Sequence, residues 1–355
     1  MYKINIEGLC QHLDLGEVSE EFLFNKGMTN RTYYVKTNKN ELVIKALSAS
    51  NVSSAYNRNK LIMGEKIGRI SNRYGICGIN ASEINGTILH YFEEQYYLIF
   101  NYLKGIEKKL NEISVSDVIN AGNILGKMHN IKFKKHLSLI TRIPSYHYGR
   151  NVDGKVDWNY YVNEILSKPK QPKWLSLLFS NILIIENLYE TSRLHFKNFR
   201  SKNKVISHCD VFNQNIIWFD NQPFLIDWEK CGEIDATFDF LNTAIRWSLY
   251  INKIGALSMD KDKLKIFTST YLQHKKVNIK RLRTNFEIIK YRRLYYLYTA
   301  LNRYINPSDL VDKKRASRKI KVSLNYLTIF IEMDNYLQEL IDFIKMEKDR
   351  YKRSK

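Results

Sequence analysis

The chain has 355 residues, 44% hydrophobic, enough for one large or two modest cores, and its 56 Lys and Arg against 36 acids leave a net charge of +20. That charge suits polyanions, but no recognised nucleic-acid motif accompanies it, so nucleic acid is not expected as the principal partner. Cys10, Cys77, Cys209 and Cys231 lack the short paired spacing of zinc or redox sites. The first residues lack the apolar core of a secretory signal and no apolar run reaches the 18 or so residues that span a bilayer, so a cytoplasmic protein with reduced thiols is expected.

In chain order, Phe22-Leu23-Phe24, the segment Asn25 to Asn30, and Thr32-Tyr33-Tyr34-Val35 predict strand, turn, strand. Leu42-Val43-Ile44-Lys45 predicts a third strand. Lys45 ends an apolar run, where an ammonium is costly without an anionic partner; the plain alternative is a strand-end lysine reaching solvent. A helix is predicted over 52–74, with Asn51 as cap and Gly75 as stop. Glu65 is the one acid on its apolar side, among Leu61, Ile62, Ile67 and Ile70, and is the expected carboxylate for Lys45; a solvated glutamate is the alternative. Tyr96 to Gly105 predicts a buried strand ending at glycine.

Val115 to Asn130 carries apolar residues at helical spacing, and His129 at its end reads as a packed or capping histidine. Trp174 to Asn198 predicts one buried amphipathic helix. Two polar motifs follow. His208-Cys209-Asp210-Val211-Phe212-Asn213-Gln214-Asn215 comes after the strand-like Val205-Ile206-Ser207. Asp227-Trp228-Glu229 comes after a hairpin, Ile216 to Phe219 and Pro223 to Ile226 about the turn Asp220-Asn221-Gln222. Further helices are predicted over 236–251, 264–272, 282–305 and 317–348. Between Lys275 and Ile320 there are 14 basic residues against three acidic ones. Tyr291, Tyr295, Tyr296, Tyr298 and Tyr304 interleave with Arg292, Arg293 and Arg303 there, at a spacing that equally suits a packed helix face.

Phosphoryl transfer needs a group that orients the proton of an attacking hydroxyl, and oxygen ligands that hold magnesium against a triphosphate. Asp210 suits the first role, and Asn215 with Asp227 the second; a capped turn is the ordinary alternative for an Asp-Asn loop. The order H-x-D-x-x-x-x-N followed by I-D-W-E resembles the aminoglycoside phosphotransferase and choline kinase superfamily. Gly27, Asn30 and Tyr33 resemble its glycine-poor phosphate loop, and Cys209 departs from its usual Gly or Asn.

The resemblance covers roughly residues 20 to 250. It implies an α+β, bilobal, protein-kinase-like fold, with a small β-rich nucleotide-binding lobe over 1–103 and a larger, mainly helical catalytic and substrate-binding lobe over 104–355. It implies ATP or GTP, with Mg2+, as cofactors. Gly27, Thr29 and Asn30 would cover the phosphates, Lys45 held by Glu65 would pair with them, and the backbone of Asn101, Tyr102 and Leu103 would meet the base. Asn215 and Asp227 would hold the metal, Asp210 would orient the acceptor and His208 would brace the loop. Glu229, Glu233, Asp235 and Trp247 are the expected acceptor contacts. The implied activity is ATP-dependent O-phosphorylation of a small molecule, an aminoglycoside or other antibiotic. An amino-alcohol or choline-type kinase is the alternative, as is a kinase-like coat or scaffold protein without transfer activity; the intact Lys45, Asp210, Asn215 and Asp227 argue against the last. The basic C-terminal part offers few acids for a polycation, which leaves an anionic metabolite open as acceptor.

Overall fold

The computed structural model describes residues 4–24, 30–133, 143–150, 152 and 154–353. In chain order its elements are α1 (Ile6–His12), β1 (Val18–Phe24), β2 (Arg31–Thr37), β3 (Glu41–Ala46), α2 (Ala49–Val52), α3 (Ala55–Arg73), β4 (His90–Phe92) and β5 (Gln95–Asn101). Then come α4 (Val115–Met128), α5 (Trp158–Leu166), α6 (Leu175–Ser180), α7 (Ile182–Lys197), β6 (Lys204–Ser207), β7 (Ile216–Phe219), β8 (Gln222–Leu225) and β9 (Gly232–Asp235). The chain ends with α8 (Ala236–Trp247), β10 (Leu249–Ile251), β11 (Leu257–Met259), α9 (Lys261–Leu272), α10 (Leu282–Ile305) and α11 (Leu310–Arg353). The fold is α+β, with a β-rich N-terminal sheet and a helical C-terminal part. Where the sequence suggested one boundary after residue 103, the chain forms two interleaved compact units: Met1–Lys109, Asn130–Ser145 and Ile206–Glu233 make one, and the remaining segments the other.

The first unit is built on an antiparallel sheet of order β1-β2-β3-β5-β4. Alternation along β3 buries Leu42, Ile44 and Ala46 against Ile6, Leu9 and Cys10 of α1 and sends Lys45 to the opposite face. The predicted helix over 52–74 is α3, but Ser54 caps it through Asn57 N–H, and Asn51 lies in α2. Gly75 stops it in the left-handed region, at φ +72°. The β7–β8 hairpin turns on Asp220 and Asn221, both at positive φ, as a two-residue turn between twisted strands requires.

Trp228, fully buried, sits in a socket whose walls are glycines. A Cβ on Gly64 would collide with the Trp228 carbonyl, and one on Gly68 or Gly78 with its ring. Gly64→Ala is expected to cost about 1–3 kcal/mol in denaturant unfolding, because α3 must back away from the segment that carries Asp227.

In the second unit α4 starts with a capping box, Ser114 with Asp117. His129 closes that helix and is packed: Nδ1 lies 2.7 Å from Tyr271 Oη and Nε2 3.0 Å from Asp239. The helix expected over 174–198 is broken into α6 and α7 at Asn181, whose side-chain amide donates to Leu177 O at 2.9 Å and competes with the helical ladder. Helices α5, α7 and α10 share a core that includes Trp158, Ile185, Tyr189, Leu294 and Leu301. The tyrosine face of α10 belongs partly to this core, since Tyr291 and Tyr304 are buried and Tyr291 stacks on Phe196. The last helix, α11, begins seven residues before its predicted start and packs along α10.

Candidate active site

Both polar motifs fall in the first unit, together with Lys45. Strand β6 ends at Ser207. His208 then sinks completely, its Nε2 3.0 Å from Ile226 O and its ring against Trp228. Burial holds its pKa below the usual histidine range, so the neutral ring donates Nε2–H to that carbonyl and ties the two motif loops together. Cys209 adopts φ 63°, the left-handed conformation that explains why Gly or Asn usually stands there.

Asp210 follows with its side chain 14% exposed. Asn215 Nδ2 donates to both the backbone carbonyl and Oδ2 of Asp210, each at 2.9 Å. Ile226 N–H donates to Asn215 O at 2.9 Å, which ties the backbone of Asn215 to the residue just before Asp227. Asp227 itself has φ 65°, an unusual conformation for a non-glycine residue, and stands between Ile226, whose N–H and C=O are bonded to Asn215 and His208, and the socketed Trp228. An amide oxygen and a carboxylate on adjoining backbones are a hard-oxygen pair of the kind Mg2+ takes.

Lys45 Nζ bonds Asp227 Oδ1 at 2.9 Å and also pairs with Glu229 Oε1. Burial opposes its charge, but the Glu229 and Asp227 carboxylates overcome that and hold the ammonium protonated. Burial likewise opposes the Asp227 charge, and Lys45 brings its pKa below the usual carboxylate range. Glu229 is further held by Asn30 Nδ2 at 2.9 Å, while Asn30 Oδ1 accepts Ser48 N–H at 2.9 Å and Asn51 Nδ2 at 3.1 Å.

Several expectations are corrected here. Glu65 does not pair with Lys45: its Oε2 accepts Ala81 N–H at 2.7 Å, and its side chain is buried. Glu229, expected on the acceptor, supplies the carboxylate instead, because the turn after Asp227 folds it back onto β3. Asp235, also expected on the acceptor, caps α8 by accepting Thr237 and Phe238 N–H and lies 3.4 Å from Arg281. Trp247 is fully buried, so its ring is not presented for stacking. Glu233 is partly exposed on β9, its N–H bonded to Pro144 O. Asn101, Tyr102 and Leu103 lie where β5 ends, with Tyr102 N–H on Glu41 O; Gly27 and Thr29 lie outside the described residues.

One residue escaped the sequence reading. Lys230 Nζ lies 2.6 Å from Asp210 Oδ2, and in so basic a chain nothing marked it beyond its place just after the I-D-W-E motif.

Burial, as the first cause, pushes the Glu65 carboxyl up to about 7, against the hydrogen bond from Ala81. A folded-state pKa above the unfolded one means the folded chain binds the proton more tightly. Its contribution is therefore full below about pH 4.5 and is lost as the pH rises through about 7. Glu65→Gln keeps the acceptor and removes the titration. The variant is expected to match the parent near pH 4 and to be more stable at pH 8 by on the order of 3 kcal/mol in urea unfolding.

The profile of the phosphotransferase enzyme family matches residues 23–255, more than half of the sequence, and the chain belongs to that family. No curated protein matches it. Among solved structures it is similar to a spectinomycin phosphotransferase bound to ADP and spectinomycin, with TM-score 0.64 and 11% identity, over 91% of this chain and 97% of that one. It is also similar to an amicoumacin kinase in complex with AMP-PNP, Ca2+ and Ami, at 0.57 and 10%, over 91% and 94%. A microcompartment-associated aminopropanol kinase matches at 0.57 and 14%, over 93% and 98%. At such identities the likeness is one of fold.

Proposed function

We propose that this protein transfers the terminal phosphoryl group of ATP, or of GTP, to a hydroxyl of a small molecule. The observation that carries the reading is the convergence of Asp210 with Asn215 and of Asp227 with Lys45 within one unit. In this mechanism Asn215 and Asp227 would hold Mg2+, which when bound would neutralise charge on the phosphates. Lys45, kept protonated by Glu229, would stabilise the triphosphate, and the 101–103 backbone would meet the base. Asp210 orients the acceptor hydroxyl and takes its proton as the O–P bond forms and the bond to the nucleoside diphosphate breaks. His208 keeps Asp210 and Asp227 in register.

The acceptor is less constrained. The similar structures act on antibiotics or an amino alcohol, which supports an antibiotic or amino-alcohol acceptor and, with the former, a role in resistance. Of the acceptor contacts expected from sequence, Glu229, Asp235 and Trp247 have other duties, which weakens the case for a polycationic aminoglycoside. Dependence on ATP supports a cytoplasmic location for the proposed activity. No helix among the described residues is long and apolar enough to cross a membrane.

The test is nucleotide turnover with Mg2+ against aminoglycosides, other hydroxylated antibiotics, amino alcohols and hydroxy acids, beside Asp210→Ala. Acceptor-stimulated turnover that disappears in the variant supports the reading. Failure to bind nucleotide and metal at all replaces it with the non-catalytic, scaffold reading.

A further inference from the structure

Both motif carboxylates hold an ammonium. Asp210 Oδ2 lies 2.6 Å from Lys230 Nζ, and Asp227 Oδ1 lies 2.9 Å from Lys45 Nζ. The two pairs differ in shelter and in partners. The Lys230 side chain is 54% exposed, so water and salt screen its pair, whereas that of Lys45 is 15% exposed and carries a second carboxylate, Glu229. Glu229 is in turn fixed from two sides, by Asn30 Nδ2 at 2.9 Å and by Asn51 Nδ2 at 3.4 Å. Lys45 is thus anchored on Glu229 and reaches from there to Asp227, and all of these residues belong to one compact unit.

This arrangement bears on how a divalent cation enters. Asp227 is the one carboxylate of the proposed metal pair, and an ion brought to it alone stands beside the Lys45 ammonium, like charge against like charge, where screening is weak. Mg2+ also gives up its waters reluctantly, and one amide oxygen with a carboxylate already engaged by lysine does not replace them. Phosphate oxygens change both conditions at once. They complete the coordination of the ion, and they offer Lys45 an anionic partner other than Asp227. Because Glu229 keeps its hold, Lys45 is free to leave Asp227 without leaving the site.

We propose that Lys45 guards Asp227 against a free divalent cation, so that the site admits the ion only together with the phosphates of a nucleotide. The inference rests on the kinase reading and specifies the form in which the cofactor is taken, a metal–nucleotide complex and not metal first. Metal and nucleotide then strengthen each other's binding by the same factor.

The test needs no turnover. Mn2+ is the probe, followed by the EPR signal of the free ion with the full chain at constant ionic strength, alone and with AMP-PNP, and corrected for the complex those two form without protein. The parent, Lys45→Met, the double variant Lys45→Met with Asp227→Asn, and Lys36→Met are compared. Lys36 is an exposed lysine of β2 and controls for the loss of one positive charge. The parent is expected to bind Mn2+ weakly alone and on the order of ten- to a hundredfold more tightly with AMP-PNP. Lys45→Met is expected to bind Mn2+ alone at least about tenfold more tightly than the parent, with that gain absent from the double variant and from Lys36→Met. A gain that depends on Asp227 is not what a collapsed site shows. Equal Mn2+ affinity in parent and Lys45→Met overturns the proposal, as does a parent that binds Mn2+ alone as tightly as with AMP-PNP. A gain that survives Asp227→Asn, or that Lys36→Met matches, overturns it as well. If AMP-PNP binds neither parent nor variants, with or without Mn2+, the kinase reading falls, while an Asp227-dependent gain in Lys45→Met leaves the guard on that carboxylate standing.

Discussion

Asp210→Ala is expected to lower kcat about 10²–10⁴-fold while nucleotide affinity stays at the parent value. The expectation follows from how the carboxylate is held. The Asn215 amide and the Lys230 ammonium both converge on Oδ2, which fixes the plane of the carboxylate before an acceptor arrives. A positioned base is worth most when no reorganisation is needed at the moment of transfer. The same geometry separates two contributions. Lys230→Ala leaves the base in place and removes only one of its clamps, so a loss of roughly tenfold in kcat is expected, with Lys230→Arg recovering part of it. Asp210→Ala retaining more than about a tenth of the parent kcat would show that the hydroxyl is oriented by another group.

What the sequence disclosed, and what it hid, divides along contact distance. His208, Asp210, Asn215 and Asp227 belong to two short segments whose spacing is itself the signal, and Lys45 was visible as a cation at the end of an apolar run. Glu65 looked like the natural partner for Lys45 because it shares an apolar helix face, yet sequence cannot say which of two remote carboxylates reaches the lysine. The left-handed turn at Asp227 decides that, by folding Glu229 back to β3. Asp235 looked like a ligand because helix caps and substrate acids are the same residue type in the same kind of loop. Trp247 looked available because hydrophobicity does not report which side of α8 is covered. The socket of Gly64, Gly68 and Gly78 gave no motif at all, since close approach is a property of the partner, Trp228, as much as of the glycines. Asn181 lies inside the single helix predicted over Trp174 to Asn198, and its competing side-chain bond interrupts that helix.

Lys45→Met is expected to lower kcat about 10²–10³-fold and to raise the nucleotide KM, as removal of a preorganised charge from a phosphoryl-transfer site does. Lys45→Arg should not restore it, because a planar fork cannot occupy the place of a compact ammonium between two carboxylates. The sharper comparison lies with its partners. Asp227 is the proposed metal ligand, so Glu229 is the carboxylate left to hold Lys45, itself fixed by Asn30 and Asn51. Glu229→Gln is therefore expected to reproduce most of the Lys45→Met loss, whereas Glu65→Gln, which removes a carboxyl bonded to Ala81 N–H, should leave kcat near the parent value. Steady-state kinetics of the three variants with a common acceptor decide between the two carboxylates. A Glu65→Gln loss as deep as that of Lys45→Met would mean that Lys45 changes partners during turnover, with the Glu229 pair confined to the resting enzyme.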